Sequence, residues 1–503
     1  MTYYLMNKDK RVLGFTAIRA EFSGDVVFKE TERFSNVPIG FSDIDSWVEN
    51  RKASKHNEHL KRIMKSYHCD DHEGFVRLTH AANINDSFWI MREDENIKWE
   101  DVSLYDNEFT AVISNLAFGG AGLGDNELFS STSPELTCDG SFRKCFKKED
   151  NTGQFGSDIY IYKRRGELNN EGLTPYCEML ASEIASIISP DNYVSYKITQ
   201  LHSKLASKCN LFTSDKIGYA SYSKIHGLNS GRLQDVFDYY RALGSEQQFR
   251  EMLVVDALCF NIDRHRGNFG VLFDNDTLKP ICISPVFDLN LSMLYNFTDE
   301  DFANVGMKLY ETVPKLGDDF TRIGQIAMND VIAERVRKIK DLSFSFSGDD
   351  VFSQSRIEKM LEIISVQASA ILSDKTMYIR DTFHSQKTDE YYSKLQLLSN
   401  AQALIDNCIS HIEKKYPNYY VSECVSDLND EEHTAILIVE KNQDNSIEID
   451  FLGKSITQSY TDETFEDDCQ EIISYIASYT IFKEFEKYLT PYNYENYLKH
   501  KSP

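Results

Sequence analysis

The sequence predicts an α+β fold with two lobes and a cleft between them, followed by a further α+β region. Three observations lead to this. Strand-like alternation dominates the first half, a mostly apolar helix near 246–260 opens a helical half, and the stretch after 385 changes pattern again. At 503 residues the chain is long enough for two to four domains of about 150 residues each, every one with a sizeable core.

Composition narrows the classes. The chain carries 54 Lys+Arg against 79 Asp+Glu, a net charge of −25, which argues against broad phosphate-driven nucleic-acid binding. With 41% hydrophobic and 12% aromatic residues it reads as globular. Ten scattered cysteines without a CxxC pair, together with the polar opening Met1-Thr2-Tyr3-Tyr4, predict free thiols and a cytoplasmic location. No stretch approaches the ~18 consecutive apolar residues of a membrane span, so no membrane partner is expected.

Taken in order, residues 1–50 alternate as strands with turns at Gly14 and Gly24, and 46–67 reads as helix. Short strands are expected around 75–77 and 88–91, with Trp89 and Trp99 anchoring a small core. The cluster His68-Cys69-Asp70-Asp71-His72 lacks a second ligand pair and reads as a polar loop. The glycines at 119, 120, 122 and 124 have neither GxGxxG spacing nor a following Walker lysine, and read as a turn. Strands follow at 142–147 and 159–163. A helix then spans 175–188, with Leu180, Ala181, Ile184 and Ile188 at helical spacing and Pro175 near its start, where a missing N–H is harmless. Strands at 193–200 and 205–213 flank the turn His202-Ser203, and helices dominate from 230 to 375.

The tail reads as a helix (391–415), strands (418–424, 434–440, 446–452) and helices (463–480, 482–489). Its 22 acidic and 10 basic residues suit a solvated face, or else an acidic docking surface or a nucleic-acid mimic. These changes of pattern divide the chain into an N-terminal α+β segment (1–110), a small lobe (111–213), a helical lobe (214–384) and an acidic α+β domain (385–503).

The stretch 256–290 carries the chemistry. It runs from the apolar helix through Asn261-Ile262-Asp263-Arg264-His265-Arg266-Gly267-Asn268 to a strand, a turn at Asp274-Asn275-Asp276, a second strand and Pro285-Val286-Phe287-Asp288. Such a loop–strand–turn–strand unit presents its two ends side by side. Phosphoryl transfer from ATP asks for little more: a carboxylate facing the attacking hydroxyl, an Asn and an Asp holding Mg²⁺, and a lysine on the phosphates. Asp263, Asn268 and Asp288 offer oxygen ligands and no thiolate, which suits a hard cation.

Asn261-x-Asp263-Arg264-His265-x-x-Asn268 followed by Pro285-x-x-Asp288 resembles the catalytic loop and metal-binding segment of HipA-like serine/threonine kinases. It is similar, more loosely, to the corresponding loop of phosphatidylinositol 3- and 4-kinases. Tyr160-Ile161-Tyr162-Lys163, with Tyr176-Cys177-Glu178 and Ala181-Ser182-x-Ile184-Ala185 after it, is similar to the HipA-like nucleotide-lysine strand and following helix. The resemblance spans about 130–375 and implies a two-lobed protein-kinase-like fold with ATP and Mg²⁺ as cofactors.

It further implies that Asp263 is the base orienting the substrate hydroxyl, that Asn268 and Asp288 bind Mg²⁺, and that His265 braces the loop. Lys163 would reach the ATP phosphates and Glu178 would hold Lys163. A phosphate-cradling loop before the lysine strand would include Gly140 and Ser141, and Ser131, Ser133, Thr137 and Ser141 are its candidate autophosphorylation sites. The residues themselves leave alternatives open. Lys163 could be a solvated basic strand end beside Arg164 and Arg165, Glu178 could face solvent, and Asp139-Gly140 could be an ordinary hairpin turn. The implied partners are a protein substrate and a separate antitoxin-type chain, since no helix-turn-helix is visible here. A catalytically silent binding module and a lipid or small-molecule kinase are the competing readings.

Overall fold

The computed structural model describes residues 1–19, 26–52, 71–119, 133–138, 142–166, 171–227, 232–373, 383, 386–425, 434–442 and 444–489. The chain divides into two compact units, Met1–Thr382 and Phe383–Pro503. Both are α+β, as the sequence pattern predicts.

The first unit begins with a four-stranded antiparallel sheet of β1 (Thr2–Asn7), β2 (Lys10–Arg19), β3 (Val26–Arg33) and β4 (Phe88–Arg92), in the order β3-β2-β1-β4. The stretch 75–77 is helix and not the expected strand. It lies in His72–Thr79, where the Asp71 carboxylate accepts from the Gly74 N–H and Phe75 and Val76 turn into the core. Of the helix expected at 46–67, Ile44–Glu49 is helical, and 53–70 lies outside the described residues. Asp71 is the cap of that second helix and His72 its first residue.

A second antiparallel sheet holds β5 (Lys144–Lys148), β6 (Ile159–Arg164), β7 (Tyr196–Leu201) and β8 (Lys204–Asn210), in the order β5-β6-β8-β7. His202 and Ser203 both take positive φ at the β7–β8 turn, the conformation that a two-residue hairpin of this twist requires. Met6, Trp89 and Trp99 share a hydrophobic cluster with Phe146, Ile159 and Leu211, so the first two sheets bury a common core. Helix α1 (Thr174–Ile188) starts with Pro175 in its first turn and packs against β7 and β8. Its other side meets helix α2 (Glu246–Cys259), whose residues from Met252 to Cys259 are all buried. A three-stranded sheet of β9 (Ile217–Ser221), β10 (Gly270–Asp274) and β11 (Pro280–Ile283) follows, and helices α3 (Phe320–Ala327), α4 (Asp330–Ile339) and α5 (Gln354–Ile371) complete the unit.

The second unit is a long helix, α6 (Gln386–Lys415), a four-stranded antiparallel meander and helix α7 (Glu463–Ala477). The meander holds β12 (Tyr420–Val425), β13 (Ala435–Asn442), β14 (Asn445–Asp450) and β15 (Ser455–Ser459), the last being a strand that the sequence pattern does not signal. Leu437, Val439, Ile447 and Ile449 pack with Leu404, Cys408, Phe465 and Ile473 into its core. No described helix is long and apolar enough to cross a membrane.

Candidate active site

Lys163 sits on β6 directly opposite Ser207 of β8, and cross-strand partners project from the same face of a sheet. That face looks onto α1. The Lys163 Nζ donates to Glu178 Oε1 at 2.6 Å and to Asp288 Oδ1 at 2.8 Å, while the Ser207 hydroxyl donates to Glu178 Oε2 at 2.5 Å. Glu178 is 1% exposed, so the helix places a carboxylate inside the protein, not in solvent. Of the two arrangements compatible with the sequence for each residue, the structure shows the inward lysine and the ion pair.

Electrostatics at this corner are unbalanced. Burial pulls the Lys163 ammonium down, but the Asp288 and Glu178 carboxylates outweigh it and hold its pKa well above the usual lysine value. Burial drives the Asp288 carboxyl up, yet the Lys163 charge and hydrogen bond reverse this and leave it below its ordinary value. For Glu178 burial dominates, and its pKa is raised in spite of the lysine. The Lys144 and Arg264 charges lower the Asp288 carboxyl further, so Lys163 is not the only cation acting on it.

Asp288 is presented by backbone pairing. The Val194 N–H donates to Val286 O and the Val286 N–H to Asn192 O, both at 2.9 Å, which docks the 285–287 segment against the chain entering β7. The Asp288 N–H donates to the Tyr196 hydroxyl at 3.2 Å, and its φ of 58° places it in the left-handed region, which Asp tolerates better than most side chains.

Asp263 and Asn268 come from the loop after α2, which Phe260 ends with a left-handed φ of 53°. Arg264, 2% exposed, organises this loop. Its Nε and Nη2 clamp Asp256 of α2 at 2.8 and 3.0 Å, and its Nη1 donates at 2.7 Å to both Asn268 O and Phe287 O. One nitrogen therefore holds the Asn268 backbone beside the residue preceding Asp288, bringing the two ends of the loop–hairpin unit together. The Asn268 side-chain amide donates to Asp263 O at 3.0 Å, and Asn261 accepts from the Asp263 N–H at 3.1 Å. His265 Nδ1 accepts from the Gly267 N–H at 3.0 Å, and a Cβ on Gly267 would lie 2.7 Å from that ring.

Asp263 itself is paired. The Lys315 Nζ, from the segment between Val305–Glu311 and α3, donates to its Oδ1 at 2.5 Å. Sequence reasoning misses Lys315, which lies 52 residues away with no local signal. It also assigns no role to Asp256 or Arg264. Asp256 has a readable signal, since a carboxylate flanked by the apolar run Met252–Val255 and Ala257–Cys259 has to find a cation.

Gly140 and Ser141 lie outside the described residues, as do Ser131 and the glycines at 120, 122 and 124. Ser133 and Thr137 are buried at 2% and 3% exposure, which removes their hydroxyls from solvent. Among the described residues no group of three or more His, Cys, Asp or Glu side chains forms a metal cluster. The donors near Asp288 fit Mg²⁺ on other grounds: Asp288 and Asn268 offer a carboxylate and an amide oxygen, which suit a hard cation.

No family model matches the chain, and no curated protein matches it in sequence. Among solved structures it is similar to the Helicobacter pylori proinflammatory kinase CtkA, with a TM-score of 0.34 and 15% identity over 46% of this chain and 90% of that one. It is also similar to a chain of the Shewanella oneidensis MR-1 toxin–antitoxin complex of HipA, HipB and operator DNA. There the TM-score is 0.37, with 10% identity over 76% of this chain and 100% of that one.

Proposed function

We propose that the first unit is an ATP- and Mg²⁺-dependent phosphotransferase, a serine/threonine protein kinase of the HipA-like type that the motifs resemble. The observation that carries the reading is the convergence on one corner. Lys163 bridges Glu178 and Asp288 while Arg264 ties Asn268 to the residue before Asp288.

In this reading Asp288 and Asn268 hold Mg²⁺, which supplies positive charge against the triphosphate. Lys163 faces the phosphates, fixed in place by Glu178. Asp263 orients the substrate hydroxyl and takes its proton, and His265 braces the loop through Gly267. The substrate class is a protein hydroxyl. A separate antitoxin-type chain is the partner that the motif resemblance adds.

Intact-mass spectrometry after incubation with Mg·ATP and a generic protein acceptor tests this, with Asp263→Asn and Asp288→Asn beside the parent. Phosphate gain on parent or acceptor, lost in both variants, is the expected outcome. Equal gain in Asp288→Asn, or a parent that neither transfers phosphate nor binds Mg·ATP, overturns it.

A further inference from the structure

Lys315 belongs to a built strap. Along 312–316 burial alternates: Thr312, Pro314 and Leu316 are buried, while Val313 and Lys315 project outward. The Thr312 hydroxyl donates to Lys308 O at 2.9 Å, and Gly317 lies so close to Ile323 of α3 that a Cβ would meet its side chain at 2.6 Å. The neighbouring acids have other work, since Asp318 pairs with Arg322 at 3.0 Å and Asp319 caps α3. Held this way, the 53%-exposed Lys315 side chain reaches Asp263 instead of the strap's own carboxylates.

The two lysines at the site are not equivalent. Lys163 is committed to Glu178 and Asp288 at the far end of the unit. Among the described residues, Lys315 is the basic side chain in contact with Asp263, where the proposed reaction brings the hydroxyl and the transferring group together. Negative charge on the equatorial oxygens of that group needs a cation on this side, and a flexible, half-exposed ammonium can move to it from Asp263.

We propose that Lys315 is a further catalytic residue of the phosphoryl transfer, contacting the γ-phosphate of bound ATP and pairing with Asp263 when no nucleotide is present. The assignment rests on the kinase reading above. In the step itself the substrate hydroxyl oxygen forms a bond to the γ-phosphorus. The bond from that phosphorus to the β–γ bridging oxygen breaks, and ADP leaves with its electron pair. The hydroxyl proton passes to an Asp263 carboxylate oxygen that Lys315 has released.

Steady-state kinetics of Lys315→Met and Lys315→Arg test this, together with titrations of ADP and a non-hydrolysable ATP analogue. An exposed ion pair contributes little to stability, so both variants should fold. Expected for Lys315→Met is a ~10²-fold fall in kcat with the KM for ATP within ~3-fold, the loss typical of one removed transition-state donor. The preference for the analogue over ADP should fall too, because only the analogue carries a γ-phosphate, and Lys315→Arg should recover part of both. An active parent matched by Lys315→Met in kcat and in that preference overturns the assignment alone. Faster turnover in Lys315→Met overturns it as well, by making Lys315 a block on Asp263. A parent without transfer or nucleotide binding overturns the kinase reading, and this assignment with it.

Discussion

Two lysines meet two aspartates in this site at similar distances, 2.8 Å for Lys163–Asp288 and 2.5 Å for Lys315–Asp263, yet the pairs differ in kind. Lys163 is 16% exposed and shared with a fully buried glutamate, whereas Lys315 is 53% exposed and has one carboxylate. Removing one partner of a buried pair leaves an uncompensated charge and costs ~3–5 kcal/mol, while an exposed pair is worth ~0–1 kcal/mol. Distance therefore says little and burial says most. The Lys163–Asp288 pair is set by folding, whereas the exposed Lys315–Asp263 pair can exchange partners at little cost. Glu135 supplies a third case. It is as buried as Glu178, but accepts from the neutral Ser114 hydroxyl and Phe146 N–H, and its Oε2 has no hydrogen-bond partner among the described residues.

The sharpest way to break the contrast is Lys163→Met, which strands Glu178 and Asp288 together. A loss of ~3–5 kcal/mol is expected, read by urea titration of tryptophan fluorescence. All three tryptophans (Trp47, Trp89 and Trp99) lie in the first unit, so the signal reports on that unit alone. A loss below ~1 kcal/mol would place Lys163 with the exposed pairs.

Arg264→Lys keeps the charge but not the fork, so it cannot clamp Asp256 and also serve the carbonyls of Asn268 and Phe287. About 2 kcal/mol should be lost in the same titration, because buried acceptors are left unpaired. Transfer should fall further than stability does, as Asn268 and Asp288 are no longer held together.

A pH-dependent effect concerns Glu135, whose pKa burial raises above the ordinary 4.5 despite the bonds from Phe146 and Ser114. A carboxyl raised by folding contributes stability that is complete below its unfolded pKa and lost as pH rises through the folded one. Glu135→Gln keeps an acceptor for both donors and cannot ionise. Parent and variant should differ by a constant amount below about pH 4.5. Above it the variant should gain on the parent by ~1.4 kcal/mol per pH unit, until the folded carboxyl ionises and the gain levels off. A difference independent of pH would show that Glu135 does not titrate in this range.

Much of the site's layout was readable along the chain. Helical spacing from Leu180 to Ile188 marks the helix that carries Glu178, observed at Thr174–Ile188, and alternation marks the strand that ends in Lys163. The stretch 75–77 is helix where the sequence pattern suggests a strand, because three residues with two apolar side chains fit either period. The choice is made by the Asp71 cap and the core contacts of Phe75 and Val76. The strand β15 carries little signal: apart from the half-buried Ile456, its Ser455–Ser459 is polar and exposed, and it is held mainly by pairing with β14.

The sequence by itself determined the α+β class, the helix that carries Glu178 and the oxygen-rich loop and hairpin on which the proposed chemistry depends, because these follow from local periodicity and from residue types. Only the tertiary structure decided which charges meet. Glu178 turns inward because Ser207 and Lys163 share one sheet face. Asn268 stands beside Asp288 because a buried arginine donates to two backbone carbonyls at once, and Lys315 reaches Asp263 from 52 residues away. Partner choice between distant side chains depends on burial and on the exit direction of each element, and neither is written in the spacing of residues along the chain.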